Sequence, residues 1–358
     1  MFLSAKTPLL AVDIGSNSIK VAQLGGSANK YELLALGVMP LDPEAVVDGV
    51  VKDEDHVADA LSRLIKAEKI NTPYAVASVA GEAVIIKKIQ VPQMPPDELE
   101  ETIKKEAEQY IPFDIDDVRI DYHPLGKAGG VTETADEEEE KDEILLVAVQ
   151  NEIIDSRTEV LSRAGLKPVI VDLDTFAIVN ALAISKNINE LGVVALIDLG
   201  ASFTHVNIII DGVSSFTRDI PIGGNMCTQL LMSKFDAEYE EAEDMKKGVL
   251  PTDIDKPDVV EVIVEAFESA IDEINKSFEF ISTTSNVQVE HIFLTGGGAL
   301  LHGVDGLVAD RLGVSAEIFD PMQNIKISRK NFDRENINRM GPLAMVALGL
   351  STRRFDYF

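Results

Sequence analysis

The chain has 358 residues, 46% of them hydrophobic, which is enough for two or three domains with substantial cores. Its formal net charge of −29 at pH 7 argues against nucleic acid as a partner and against direct binding to an anionic membrane surface. The single cysteine, Cys227, excludes an intramolecular disulfide and favours a reducing compartment, and we expect it to be buried and structural.

The first predicted element is a β-hairpin over residues 8–24, whose first strand ends in Asp13 and a polar turn, Gly15-Ser16-Asn17-Ser18. Glycine lets backbone N–H groups approach a phosphate closely, and small hydroxyl and amide side chains add donors. Asp13 repels phosphate, but it can hold a hydrated Mg²⁺ that bridges phosphate oxygens. We therefore predict phosphate contacts from this turn and from Lys20, and a water-mediated metal contact from Asp13.

The remainder of the first half is predicted from hydrophobic periodicity. Residues 31–38 and 74–79 are typical of strands, and residues 53–69 predict an amphipathic helix. The hairpin, strand, helix and strand together predict a βββαβ unit.

A small α+β insert is predicted over residues 84–166. Its elements are a strand at 84–91, a helix that begins at Pro96 and ends near Tyr110, strands at 118–124 and 144–149, and a helix at 152–164. The acidic run at 133–143 is interpreted as a solvated loop, with a docking site for a basic partner as the alternative.

The hairpin pattern recurs in a second half that begins near Gly192. A hairpin over residues 193–210 contains Asp198, followed by the turn residues Gly200, Ala201 and Ser202. We assign Asp198 to the metal and the turn to phosphate, as in the first copy. Two ordinary turns are the alternative, but recurrence in two halves favours a duplicated fold with both turns facing one cleft.

A third glycine-rich segment follows the strand at 292–295. It reads Gly296-Gly297-Gly298-Ala299, and its backbone could lie against a flat ring or a phosphate. A glycine triplet alone is usually a tight turn, whereas one that follows a second Asp–Gly hairpin fits an adenosine clamp. Between the two lies a long predicted helix, 257–284, whose apolar stripe we assign to the core.

Together these motifs resemble those of the actin-like ATPase superfamily. The resemblance implies an α/β fold of two duplicated mixed-sheet halves around a nucleotide cleft, with ATP and Mg²⁺ as ligands. Residues 171–181 and 341–349 resemble the two small-residue connecting helices that cross at the hinge between the halves. Asp174 would then lie near the attacking water, with an N-cap of the following helix as the alternative role.

The same resemblance assigns a role to Gly223 and Gly224 and to the helix that contains Glu243 and Lys246. In bacterial actin homologues the corresponding segment lies beside the nucleoside. Glu243 would hydrogen-bond the ribose, and Lys246 would lie along the base. The alternative is an exposed helix with an ordinary i,i+3 ion pair.

Within the superfamily the chain resembles the PilM family of type IV pilus assembly proteins, which is similar to the cell-division protein FtsA. The resemblance is carried by the proline turn at 91–99 and by the acidic helix with its Tyr-Ile-Pro-Phe exit at 103–113. It implies a first actin-like half (1A) over 1–83, 167–191 and 341–358, a 1C-like insert over 84–166, and a second half (2A/2B) over 192–340.

The PilM-like resemblance implies an ATP-binding cytoplasmic scaffold with at most weak ATPase activity. The insert would present a groove to the cytoplasmic N-terminal tail of PilN. Further implied partners are other pilus components, including the assembly ATPases, and copies of the chain itself in a ring. Membrane contact would come only through partners, because residues 1–6 show no signal peptide and no apolar run reaches the roughly 20 residues that span a bilayer.

The alternative function is an actin-fold sugar kinase with Asp172 or Asp174 as its base.

Overall fold

The computed structural model describes residues 8–27, 30–47, 49–127, 141–328 and 332–354. Most of the acidic run at 133–143, and the C-terminal residues 355–358, therefore lie outside the described residues. The strands are β1 Leu10–Ile14, β2 Ser18–Ser27, β3 Lys30–Pro40, β4 Val46–Val47, β5 Val50–Val51, β6 Tyr74–Val79, β7 Val84–Pro92, β8 Val118–Lys127, β9 Lys141–Gln150, β10 Lys167–Leu173, β11 Val193–Leu199, β12 Thr204–Ile210, β13 Val213–Ile220, β14 His291–Thr295 and β15 Ala316–Ile318. The helices are α1 Glu54–Ala67, α2 Pro96–Ala107, α3 Asn151–Arg163, α4 Asp174–Ser185, α5 Gly224–Phe235, α6 Tyr239–Lys246, α7 Lys256–Ser285, α8 Val304–Leu312, α9 Arg334–Met340 and α10 Met345–Leu350.

The chain divides into two compact units, and the boundaries differ from those expected. The smaller unit contains residues 82–156, and the larger contains the rest of the chain on either side. Residues 157–166, predicted from the sequence to be part of the insert, belong to the larger unit. The reason is packing, because Val160 and Leu161 are fully buried in the core that includes Leu10 and Val57.

The larger unit contains two five-stranded sheets with the same central arrangement. In the order β10-β6-β1-β2-β3, strand β1 pairs antiparallel with β2 and parallel with β6. In the order β13-β12-β11-β14-β15, strand β11 pairs antiparallel with β12 and parallel with β14. The predicted duplication of a mixed sheet around an Asp–Gly hairpin is confirmed.

Strand β10 corrects the prediction for residues 171–181. Residues 171–173 are strand, not helix, and the connecting helix α4 begins only at Asp174. Val169, Ile170 and Val171 are β-branched, and Ile170 and Val171 pair in parallel with β6 after a register shift at Val169. A helical interpretation of the segment overlooked this pairing.

The two connecting helices pack on each other as small-residue helices can. Helix α10 is buried along its length. It follows a short 3₁₀ turn, Pro342–Ala344, whose first residue is a proline, and the fixed φ of proline suits the first position of a helical turn. A Cβ atom on Gly349 would lie only 1.7 Å from the carbonyl oxygen of Ala177 in α4. The absence of a side chain at residue 349 is therefore what permits this approach.

The smaller unit is a three-stranded antiparallel sheet, ordered β7-β9-β8, with helix α2. Its own core contains Val91 and Leu146 from the sheet and Ile103 and Ala107 from α2. The helix predicted to reach Tyr110 ends at Ala107. None of the helices in the described parts of the chain combines the length and apolar character needed to cross a membrane.

Candidate functional site

The two aspartates of the repeated motif face the same open space in the larger unit. Asp13 near the end of β1 and Asp198 near the end of β11 both line a cavity of about 1170 Å³ and an adjoining one of about 80 Å³. Both side chains are buried. Predicted site residues along the larger cavity are Asn17, Ser18, Lys20, Gly200, Ala201, Gly224, Glu243, Lys246, Gly296, Gly297 and Gly298. Those along the smaller cavity are Gly15, Ser16, Asn17, Lys20, Asp174, Gly200, Ala201 and Ser202.

The first turn is closed by a hydrogen bond from the backbone N–H of Gly15 to the carbonyl of Ser18, 3.2 Å long. The Nζ of Lys20 lies 3.3 Å from the Asp13 carboxylate, because the two residues are opposite each other in the β1–β2 register. The amide of Asn17 donates to the hydroxyl of Tyr239 at 3.2 Å. Turn one is thereby tied to helix α6 of the second half.

The second turn is braced by the glycine pair. The backbone N–H of Gly224 donates to the Gly200 carbonyl at 2.9 Å, and that of Asn225 donates to the Ala201 carbonyl at 2.8 Å. A Cβ atom on Gly223 would lie 2.6 Å from the Ala201 carbonyl oxygen. Gly223 lines neither cavity and instead packs behind the turn.

The glycine triplet lies beside the second aspartate. Gly296 has φ of +84°, and a Cβ atom there would be 2.4 Å from an oxygen of Asp198. Ala299, which we assigned to the same clamp, is instead fully buried in the core of the second half and lines neither cavity. The triplet runs into a short 3₁₀ turn, Gly298–Leu300, and α8 begins at Val304.

Glu243 and Lys246 form a closed polar cluster with Thr228. The Nζ of Lys246 donates to Glu243 at 2.6 Å, to the Thr228 hydroxyl at 2.8 Å and to the Gly224 carbonyl at 3.1 Å. The Thr228 hydroxyl is also 2.6 Å from Glu243. The pair is only 10% and 12% exposed, so it is not the exposed helix pair of the alternative interpretation. All three ammonium protons of Lys246 already have acceptors.

Asp174 lies in the smaller cavity at the start of α4. The N-cap position belongs to Leu173, so the alternative role of Asp174 as N-cap is wrong. Burial, reinforced by the neighbouring charge of Asp13, raises the pKa of Asp174 to about 6. This carboxyl can therefore exchange a proton near neutral pH.

His205 is a site residue that sequence reasoning missed. It lies on β12 opposite Asp198 and lines the smaller cavity. Its Nδ1 is 2.7 Å from Asp219, whose other oxygen accepts a 2.8 Å hydrogen bond from the backbone N–H of Gly81. Burial alone would lower the pKa of His205, but the charge and hydrogen bond of Asp219 raise it to about 10. The five histidines share no metal-ligand spacing, so only the register with Asp198 could have identified this one.

The smaller cavity is lined by equal numbers of acidic and basic side chains. Its carboxylates belong to Asp13, Asp174 and Asp198, and its cations to Lys20, Arg157 and His205. Among the described residues no group of three or more His, Cys, Asp or Glu side chains is arranged to hold a metal directly. The carboxylates of Asp13 and Asp198 can accept hydrogen bonds from water on a cation, which is how Mg²⁺ is usually held.

The sheet topology and the cleft between the two hairpins define an actin-like protein. A family model described as "Type IV pilus assembly protein PilM" matches residues 11–355, and the chain therefore belongs to this family. The sugar-kinase alternative is accordingly not favoured. The structure is similar to that of a "PilM-PilN type IV pilus biogenesis complex", with a TM-score of 0.84 and 28% identity over 97% of this chain and 98% of that one.

Two cell-division proteins FtsA are more distant relatives. That of Bacillus subtilis is 24% identical over 393 residues, which covers 95% of this chain and 82% of the relative. That of Borreliella burgdorferi is 27% identical over 204 residues, and here the match spans 51% of this chain and about half, 49%, of the relative's length.

Proposed function

We propose that this protein is a nucleotide-binding scaffold of type IV pilus assembly that holds Mg²⁺·ATP in the cleft between its two hairpins. The proposal is supported chiefly by the equivalent positions of Asp13 and Asp198 in the two sheets. Each aspartate is followed by a glycine-containing polar turn, and both turns line one cavity. Backbone amides and small hydroxyls at both turns suit a polyphosphate.

The proposed metal contact uses water. Asp13 and Asp198 would orient waters of a bound Mg²⁺, whose charge offsets that of the phosphates. The backbone of Gly296, Gly297 and Gly298 lines only the larger cavity and supports placing the nucleoside at that end. Because the ammonium of Lys246 is fully engaged by protein acceptors, we assign the Glu243–Lys246 pair to shaping this end of the cavity.

Hydrolysis is proposed to be weak, with Asp174 positioning a water. A carboxyl with a pKa near 6 is mostly ionised at pH 7.5 and could accept a proton. The protonated His205 faces the same cavity, where it would stabilise negative charge on phosphate oxygens.

The proposed partner is the cytoplasmic N-terminal tail of a PilN-like protein. Support comes from family membership and from the likeness to the PilM–PilN complex. We propose that the smaller unit, residues 82–156, presents the groove for this tail, and that the tail brings a cytoplasmic protein to the inner face of the membrane. Self-association in a ring and contacts with the assembly ATPases belong to the same proposal, and light scattering of the purified protein tests the first of them.

A paired binding experiment tests the scaffold function. The protein should retain a PilN-like tail peptide in a pull-down and should not phosphorylate sugars when supplied with Mg²⁺·ATP. A scrambled peptide of identical composition is the control for charge-driven capture, which the acidic chain makes necessary. Sugar phosphorylation without peptide binding would overturn the proposal in favour of a kinase.

A further inference from the structure

Arg157 is a buried cation whose guanidinium is largely without hydrogen-bond acceptors. The residue is 4% exposed, on the helix α3 at which the chain re-enters the larger unit. Its Nη2 donates to the carbonyl of Gly49 at 2.9 Å. Its Nε and Nη1 are buried and have no acceptor among the described residues. A buried charged donor without an acceptor is costly, so such an arrangement calls for a ligand that supplies one.

Nearby carboxylates do not fill this need. The charges of Asp174 and Asp13 partly offset the effect of burial, which lowers the pKa of Arg157, but neither carboxylate is hydrogen-bonded to the guanidinium. Arginine stays protonated in proteins, so a fixed positive charge remains at this position.

The position of Arg157 in the cleft indicates which anion it suits. It lines the smaller cavity together with Gly15 and Ser16 of the first turn and Ser202 of the second, and it does not line the larger one. Gly296–Gly298 line only the larger cavity, so the two groups mark different ends of the cleft. The smaller cavity, about 80 Å³, has room for a group of several heavy atoms.

We propose that Arg157 contacts the terminal phosphoryl group of a bound nucleoside triphosphate and makes the cleft prefer triphosphate over diphosphate. This inference rests on the proposed nucleotide binding. The guanidinium has Nε–H and Nη1–H free of acceptors in the described part of the chain, and each can donate a charge-assisted hydrogen bond to a phosphate oxygen. A diphosphate with its nucleoside at the larger cavity would leave the smaller cavity, and these donors, without a partner.

Calorimetric titration with Mg²⁺·AMP-PNP and Mg²⁺·ADP tests the inference through the ratio of the two dissociation constants. Arg157→Gln should weaken triphosphate binding by about tenfold or more, as loss of a charge-assisted hydrogen bond predicts, and leave diphosphate binding within about twofold. Arg157→Lys keeps the charge but not the planar fork, and it should shift the ratio in the same direction. Arg63→Gln is the matched control, because it removes an exposed arginine, paired with Asp59, from the same unit.

The outcomes separate the inference from the function on which it rests. A wild-type protein that binds neither nucleotide overturns both. A wild-type protein that binds, with an unchanged ratio in both Arg157 variants, overturns the inference alone. If the variants bind both nucleotides more weakly by the same factor and also have a lower melting temperature, Arg157 is a structural residue, and the inference is again overturned. If Arg157→Gln does not fold, the ratio measured for Arg157→Lys decides.

Discussion

Asp172 and Asp174 are two residues apart but have different partners. The Asp172 carboxylate accepts hydrogen bonds from Nε of Arg353 at 2.6 Å and from the backbone N–H of Leu173 at 2.9 Å, and it lines neither cavity. Asp174 lines the smaller cavity and has a pKa of about 6. Sequence alone left the two as equal candidates for a base, whereas the structure leaves only Asp174 in the cleft.

Asparagine substitution at the two positions should change stability in opposite directions. The folded-state pKa of Asp174 lies above its ordinary value of 3.8, so its ionised form opposes folding, a cost that grows from pH 3.8 and is fully present above about pH 6. Asp174→Asn should therefore raise the free energy of unfolding at pH 7.5. Asp172→Asn should lower it by roughly 1–3 kcal/mol through loss of a charge-assisted hydrogen bond. Urea denaturation measures both, and a destabilised Asp174→Asn variant would contradict this assignment.

The crossing of α4 and α10 predicts a large effect from one methyl group. Gly349→Ala would place a Cβ atom 1.7 Å from the Ala177 carbonyl oxygen, so the helices must separate. We expect a loss of about 3 kcal/mol or more in the free energy of unfolding. Gly306→Ala is the matched control in helix α8, where a Cβ atom meets nothing within 4 Å, and it should stabilise the protein by up to about 1 kcal/mol. Equal thermal midpoints for the two variants would refute the close crossing.

The His205–Asp219 pair predicts a pH dependence in the alkaline range. The pKa of His205 rises from about 6.5 to about 10 on folding. Its contribution to the free energy of unfolding is therefore fully present below pH 6.5 and is lost as the pH rises to about 10. Burial opposes ionisation of Asp219, but His205 lowers its pKa below the ordinary value of 3.8, so the ionised aspartate stabilises the fold above pH 3.8 and this stabilisation is lost on acidification.

Unfolding free energies measured from pH 6 to pH 10 test this pair. The wild type should lose stability over that range more steeply than His205→Gln. The exposed His123 provides the control, and His123→Gln should follow the wild-type curve. Parallel curves for wild type and His205→Gln would show that the histidine carries no additional proton in the folded state.

The metal assignment predicts a shared response of Asp13 and Asp198. Asp13→Asn and Asp198→Asn should each weaken ATP binding in the presence of Mg²⁺ by about tenfold or more, because a carboxylate that orients metal-bound water is lost. Addition of EDTA should weaken binding to the wild type but change little in the variants. Magnesium-dependent binding that persists in both variants would place the metal elsewhere.

The elements that sequence predicted best are those with local signals. The two Asp–Gly hairpins and helix α7 follow from patterns of adjacent residues, and the burial of Cys227 follows from the general tendency of free cysteine to be buried. Strand β10 was missed because its β-branched run lies directly before a helix of small residues. His205 was missed because its role depends on the register between β11 and β12. Arg157 was missed because it lies on α3, far in sequence from the turns whose cavity it lines. Spacing along the chain shows neither relationship.

The polar cluster at Lys246 shows that a sequence motif does not predict all the partners of a side chain. The Glu-x-x-Lys spacing predicts an ion pair, and the pair is present at 2.6 Å. The hydroxyl of Thr228 on α5 and the carbonyl of Gly224 accept the other two protons of the Lys246 ammonium, so that the lysine has no proton left for a base. Only the packing of α5 against α6 determines this outcome.

Calorimetric titration of nucleotide-stripped protein with Mg²⁺·ATP shows whether the cleft holds a metal–nucleotide complex. We expect saturable binding of one nucleotide per chain, weakened by EDTA and by Asp13→Asn. A folded protein that shows no saturable binding, and that purifies without ATP or ADP, would contradict this expectation.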